Sequence, residues 1–304
     1  MIHKDKILGG LYVALIGDAC GVPYEFKSPR DIPVYDLIDM IPPEGYNRTW
    51  DHIPVGTYSD DGAQILCLLE CLLDDKFTSQ ELTVILRKWL YEGYWSVDRF
   101  TYDVGNQTVA ALRKDVTDLS GLDRERFNGN GSLMRTLPVS LCFVDIENIC
   151  NTSFEMSGAT HPHVRSRLCC VLYNLIARRM IEGQDVWSAS DFAFGCVSQM
   201  YASDDIHKEL KIIKDFENCE CTGTGYVVDS LWTAILVVGT STSFEDVIKK
   251  SIAFGNDTDT TACIAGGLAG IKYGYDNIPQ RWIDLLRNKN EIEPLVTRLI
   301  QDKG

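Results

Sequence analysis

The chain has 304 residues, of which 45% are hydrophobic and 24% charged, and its mean hydropathy is -0.08. At roughly 100–200 residues per domain this length gives ample core without disulfide or metal staples, and no linker, charge block or repeat divides 1–304, so a single domain is expected. Lys plus Arg number 29 against 43 Asp plus Glu, for a net charge of -14, so nucleic-acid binding is not expected and an anionic ligand must be held by local devices.

The chain opens MIHKDKILGG, which lacks the charged, apolar, small order of a secretory signal, and no apolar run of about 18 residues stands out. Neither export nor a membrane span is expected. Apolar residues then recur at helical spacing, first at Ile7, Leu8, Leu11, Ala14 and Leu15, and again at Ile65, Leu66, Leu69, Leu72 and Leu73. Between them lies a long loop, 24–60, rich in Pro, Asp and Tyr, and a loop of that length in a helical protein is more often functional than idle. Further helical stretches run over 79–93, 104–114, 131–143, 146–158, 162–182, 185–201, 205–215, 226–239, 243–253, 257–272, 278–287 and 290–302. Thr78 or Ser79 before Glu81, and Ser243 before Glu245 and Asp246, are capping signals. Strand alternation is scarce, and the reading is a compact all-α domain of about a dozen helices. The eleven cysteines are odd in number and many sit in these apolar runs, which fits reduced core thiols in a cytoplasmic protein. Cys219 and Cys221 have no second pair and no nearby histidine, which speaks against zinc.

Two acidic clusters carry the chemistry. Ser59-Asp60-Asp61-Gly62 opens one helix, and Gly255-Asn256-Asp257-Thr258-Asp259-Thr260-Thr261 opens another. Either alone could be a helix cap favoured by the dipole. Capping needs one side chain, however, whereas Asp257, Asp259 and Thr260 offer three oxygen ligands within four positions of a tight turn. All-oxygen sets of this kind select Mg²⁺ or Mn²⁺ before Ca²⁺, and not zinc. The second helix is rich in small residues from Ala262 to Gly270, so another helix can approach it closely and bring a second cluster into contact. The glycine-rich stretch Gly129-Asn130-Gly131-Ser132 leads into the expected 131–143 helix, where free N–H groups suit a pyrophosphate.

With these clusters in place, the sequence resembles the ADP-ribosylglycohydrolases of the dinitrogenase-reductase-activating type over nearly the whole chain. The resemblance is carried, in order, by Gly17 to Glu25, Tyr58 to Asp61, Asp103 to Asn106, Gly129 to Arg135 with Pro138, Thr160-His161, Thr222 to Val228 and Gly255 to Thr261. It implies an all-helical fold and two divalent cations held by Ser59, Asp60, Asp61, Asp257, Asp259 and Thr260. Glu25 resembles the family's mobile loop glutamate near the metals and the substrate ribose. The matching loop Gly129 to Ser132 and His161 approach the phosphates, while Tyr226, after Gly223 and Gly225, is placed to stack on the adenine. Asp103 is a candidate for ribose positioning or proton transfer, with Asn106 as polar support, and Asp61 stands with Glu25 and Asp103 as a catalytic candidate. The role of Arg135 is open. The implied activity is hydrolysis at C1″ of an ADP-ribosylated substrate, releasing ADP-ribose from an N- or O-linked acceptor. The alternatives are a non-catalytic ADP-ribose binder and a two-metal phosphohydrolase, although no Arg or Lys adjoins either acidic cluster to clamp a scissile phosphate.

Overall fold

The computed structural model describes residues 2–74 and 77–303 and is helical throughout. Its helices are α1 (Ile2–Gly21), α2 (Asp60–Leu73), α3 (Ser79–Glu92), α4 (Asn106–Leu112), α5 (Pro138–Cys142), α6 (Ile146–Gly158) and α7 (Val164–Ile181). They continue as α8 (Val186–Met200), α9 (Asp204–Asp215), α10 (Val227–Thr240), α11 (Phe244–Ala253), α12 (Thr258–Tyr273), α13 (Gln280–Leu285) and α14 (Lys289–Lys303). Among the described residues the only β pairing is an isolated bridge between Gly129 and Tyr226. The expected caps are present: Thr78 accepts the Glu81 N–H at 3.1 Å and Ser243 accepts that of Asp246 at 3.2 Å.

The centre of the molecule is the pair α1 and α12, whose backbones touch. A Cβ on Gly9 would lie 2.3 Å from the Gly270 carbonyl oxygen, one on Gly17 2.1 Å from that of Ala262, and one on Gly21 2.3 Å from Asp259 Cα. Each helical glycine costs about 1 kcal/mol relative to alanine. Only the close approach offsets that cost, and its register sets the end of α1 directly over the first turn of α12. The small-residue stripe read from the sequence therefore receives α1. Residues Lys4–Tyr24 are long and apolar enough to cross a membrane by length and composition, contrary to the expectation that no such run exists. Within the protein, 94% of their most apolar window is buried, as befits a central core helix. One hydrophobic cluster extends from Ile7 to Leu299, with a small satellite of Val22, Ile53 and Tyr102 under Trp50.

The expected helix over 131–143 is corrected. Residues 131–135 form turns, and only Pro138–Cys142 is helical. Proline has no N–H and its ring would meet the carbonyl four residues back, so Pro138 starts a helix instead of continuing one. The Arg135 guanidinium donates to the Gly131 carbonyl at 3.0 Å and so braces the turn from its side chain.

Candidate active site

The N-termini of α2 and α12 face each other beneath one cleft of about 660 Å³. Ser59 caps α2, its Oγ accepting the Asp61 N–H at 3.3 Å, which leaves the carboxylates of Asp60 and Asp61 free of capping duty. Asp18 of α1 braces the same turn: its oxygens accept the Ser59 N–H at 2.9 and 3.0 Å and the Gly62 N–H at 2.8 Å. On the other side, Gly255 and Asn256 turn the chain at φ +62° and +58°, conformations that glycine and asparagine tolerate best. Asp257 takes the N-cap position of α12, with Asp259 and Thr260 in its first turn. Thr260 Oγ1 donates to Asp61 Oδ1 at 3.4 Å and so joins the two clusters.

Carboxylate oxygens of Asp18, Asp61 and Asp259 come within 4.8 Å of one another, as do those of Glu25, Asp257 and Asp259. Asp259 belongs to both groups. Its two oxygens are buried without a hydrogen-bond partner, a state costing several kcal/mol unless a cation or proton is supplied. Burial first, and neighbouring carboxylates next, push Asp60, Asp61 and Asp259 far above the ordinary carboxylate range. Burial likewise lifts Asp18 to about 7 despite its hydrogen bonds from Ser59 and Gly62. No lysine or arginine is among the residues lining the cleft. An orphaned, shared, all-oxygen donor set fits hard divalent cations.

Glu25 and Asp103 form the rim above these groups. Glu25 is 2% exposed, its Oε2 accepting the Trp50 indole N–H at 2.6 Å, and burial followed by the Asp103 charge pushes its carboxyl far up. Asp103 sits at φ +55°, a conformation that costs a non-glycine residue about 1–3 kcal/mol and that clusters at functional sites. The loop around Glu25 is firmly anchored in the core. Tyr24, Ile38 and Met40 are wholly buried, and the Phe26 and Asn256 N–H groups donate to the Asn256 and Lys27 carbonyls at 2.7 Å each. Tyr24 Oη and Trp282 Nε1 both donate to Asp39, at 2.7 and 2.6 Å, so α13 holds the loop from behind.

The opposite wall is built from the 129–131 turn, His161 and the 223–226 loop. Gly129, Asn130, Gly131, His161, Gly225 and, at the mouth, Asn106 line the cleft. Asn130 donates through Nδ2 to Ser230 Oγ at 2.9 Å and to Asp257 Oδ2 at 2.8 Å. The Gly129 and Gly131 N–H groups donate to no backbone carbonyl among the described residues. Three candidates stand behind the lining. Ser132 Oγ is buried 2.8 Å from Ser157 Oγ, Gly223 accepts the Asp257 N–H at 3.1 Å, and the Tyr226 hydroxyl accepts from Arg165 at 3.2 Å with its ring edge-on to Phe216.

Sequence reasoning missed Asp18, the brace of α2, whose one signal is a carboxylate inside the apolar run Leu15 to Cys20. It also missed Asp229. Burial would raise that carboxyl, but hydrogen bonds from Thr224 and Thr222 outweigh burial and hold it low, and with them the whole 222–225 turn.

Known proteins match this chain along nearly its whole length. The chain is 28% identical over 302 residues to an ADP-ribosylarginine hydrolase, Tri1, of Serratia proteamaculans, covering 97% of this chain and 79% of that protein. It is 26% identical over 301 residues to the ADP-ribosyl-[dinitrogen reductase] glycohydrolase of Rhodospirillum rubrum, covering 95% and 92%. A solved structure described as an ADP-ribosylglycohydrolase-related protein complex shares the fold at a TM-score of 0.78, with 23% identity and 99% of each chain covered. The family model for ADP-ribosylglycohydrolase matches residues 1–304, and the chain belongs to that hydrolase family.

Proposed function

We propose that this protein hydrolyses the bond between C1″ of the distal ribose of ADP-ribose and an N- or O-linked acceptor, using two divalent cations, Mg²⁺ or Mn²⁺. The observation that carries this reading is the polarity of one cleft. Its floor presents carboxylates without cationic partners, and its wall presents backbone N–H groups and His161, so it suits a ligand with a hydroxyl-rich end and an anionic middle. Its volume lies in the range of small-molecule sites.

Ser59, Asp60, Asp61, Asp257, Asp259 and Thr260 would hold the cations, and Asp18 holds the α2 turn that presents three of them. When bound, the cations supply Lewis acidity and neutralise the crowded carboxylates. Departure of the acceptor builds positive charge on the ribose, and Glu25, Asp61 and Asp103 are the carboxylates placed to stabilise it and to take a proton from water. Asn106 supports the ribose at the mouth. The 129–131 turn and His161 take the pyrophosphate, and Thr224 and Gly225, held by Gly223 and Tyr226, form the adenine end. An odd number of cysteines, most of them buried, supports a cytoplasmic setting.

ADP-ribose release from arginine-, serine- and nucleic-acid-linked conjugates, in Mg²⁺ and in chelator, tests the reading. At least one conjugate should be cleaved at C1″, and only with metal. Tight ADP-ribose binding without release from any conjugate would make the protein a binder. Cleavage at phosphorus would make it a phosphohydrolase.

A further inference from the structure

Behind the wall of the cleft lies a fully buried cation. Arg135 is 0% exposed, and although burial lowers its guanidinium to about 10 it stays charged at neutral pH. Its Nη1 donates to Gln64 Oε1 at 2.7 Å and to the Gly131 carbonyl, and its Nη2 donates to Thr160 Oγ1 at 2.7 Å. Thr160 Oγ1 lies 2.8 Å from His161 Nδ1. A guanidinium only donates, and a threonine hydroxyl has one proton. Thr160 Oγ1 has no other hydrogen-bond partner among the described residues. If His161 carried its proton on Nδ1, both neighbours would donate to Oγ1 and the buried hydroxyl proton would have no acceptor. If Nδ1 is bare, that proton bonds to it, and the Thr160 hydroxyl uses both its donor and its acceptor.

We propose that Arg135, acting through Thr160, locks His161 as the Nε2–H tautomer and so equips the cleft with a neutral N–H donor for an anionic oxygen. Nε2 is the nitrogen beside the turn: a Cβ on Gly131 would meet it at 3.2 Å and one on Gly129 at 3.7 Å. The ring is uncharged because burial, followed by the Arg135 charge, lowers its pKa to about 3. Such a donor binds an anion by direction and not by net charge, which separates pyrophosphate recognition from the pH of the medium. Arg135 and Thr160 are positioning residues. The tautomer stands on the protein alone, whereas its use on pyrophosphate rests on the ADP-ribose reading above.

Long-range ¹H–¹⁵N correlation spectra of the ligand-free, full-length protein at pH 7, with His161 assigned by His161→Gln, read the tautomer directly. The parent should show a protonated, pyrrole-type Nε2 and a bare, pyridine-type Nδ1. Thr160→Val should collapse this into an averaged pattern and weaken ADP-ribose binding about three- to tenfold by calorimetry, and Thr160→Ser should restore both. Arg135→Gln should loosen the tautomer in the same way; if it does not fold, the Thr160 pair decides. A protonated Nδ1 in the parent, or a Thr160→Val spectrum like the parent's, overturns the proposal. Failure of the parent to bind ADP-ribose would instead overturn the functional reading and leave the spectra to judge the tautomer.

Discussion

At the floor of the cleft Asp259 is wholly buried and neither of its oxygens accepts a hydrogen bond. On the wall above it, the Asn130 amide reaches two acceptors, and Arg135, Thr160 and His161 are linked in one chain of hydrogen bonds. Both regions bury polar groups, but the wall's are bonded within the protein apart from Arg135 Nε, whereas both oxygens of Asp259 are left without a partner. A buried carboxylate without a partner is far more costly than a satisfied network. On the function proposed above, the floor calls for a bound cation, whereas the wall needs only the folded chain. Variants at the floor should be indifferent to folding and fatal to turnover; variants on the wall should trade affinity.

The largest effect belongs to the floor. Asp60→Ala and Asp259→Ala should each abolish ADP-ribose release and the thermal stabilisation given by Mg²⁺. In chelator, Asp259→Ala should melt no lower than the parent, because it deletes a buried carboxyl that has no hydrogen-bond partner. Retained turnover in either variant, or a chelator melt for Asp259→Ala several degrees below the parent, would show that the protein completes the floor itself.

The same contrast fixes a pH dependence. Asp18 titrates near 7 in the folded protein and near 4 when unfolded, and burial shifts the other floor carboxylates in the same direction. Between those values the folded state binds more protons than the unfolded one, so stability falls as pH rises. Metal-free protein should therefore lose thermal stability steadily between about pH 4 and pH 7. A saturating divalent cation, by compensating the carboxylates, should flatten that slope. Calorimetric melts across this range in chelator and in Mg²⁺ check it, and equal slopes in the two would refute it.

Glu25 sits between the regions, grouped with Asp257 and Asp259 yet held by the Trp50 indole. Glu25→Gln keeps an oxygen for that N–H and removes the charge. Single-turnover rates should fall roughly a hundredfold, the scale of a lost acid–base or electrostatic contributor, while ADP-ribose affinity stays within about tenfold. If affinity falls further than the rate, Glu25 is a binding residue and the proton belongs to Asp61 or Asp103.

These regions also differ in how far they can be read from sequence. Both acidic clusters are local, so Ser59 to Asp61 and Asp257 to Thr260 stand out by spacing, and α6 falls on 146–158 as its periodicity predicts. Asp18 does not, because the N–H groups it accepts lie 41 and 44 residues away. The anchoring of the Glu25 loop is hidden for the same reason: Trp282 reaches Asp39 across 243 residues. The failed helix at 131–135 is a case of tertiary structure overriding pattern, since the Arg135 side chain is drawn to Gln64 and Thr160 and braces the turn at the Gly131 carbonyl.

A smaller effect than those at the floor should come from the wall, at Gly131→Ala. Gly131 is not in the left-handed region, so alanine brings no backbone strain, and its N–H survives for a ligand. The added Cβ would lie 2.9 Å from His161 Cε1 and 3.3 Å from Thr108 Oγ1. The first distance is shorter than real contacts allow, so the imidazole must move, and it cannot move freely while Thr160 holds Nδ1. The displacement tilts the Nε2–H away from its target without touching a carboxylate of the floor. ADP-ribose affinity should therefore fall about tenfold, or ~1.4 kcal/mol, with metal affinity unchanged. Calorimetry of both ligands on one sample separates the regions: unchanged ADP-ribose affinity would remove the 129–131 turn from the phosphate site, and a parallel loss of metal affinity would show that floor and wall are one coupled unit.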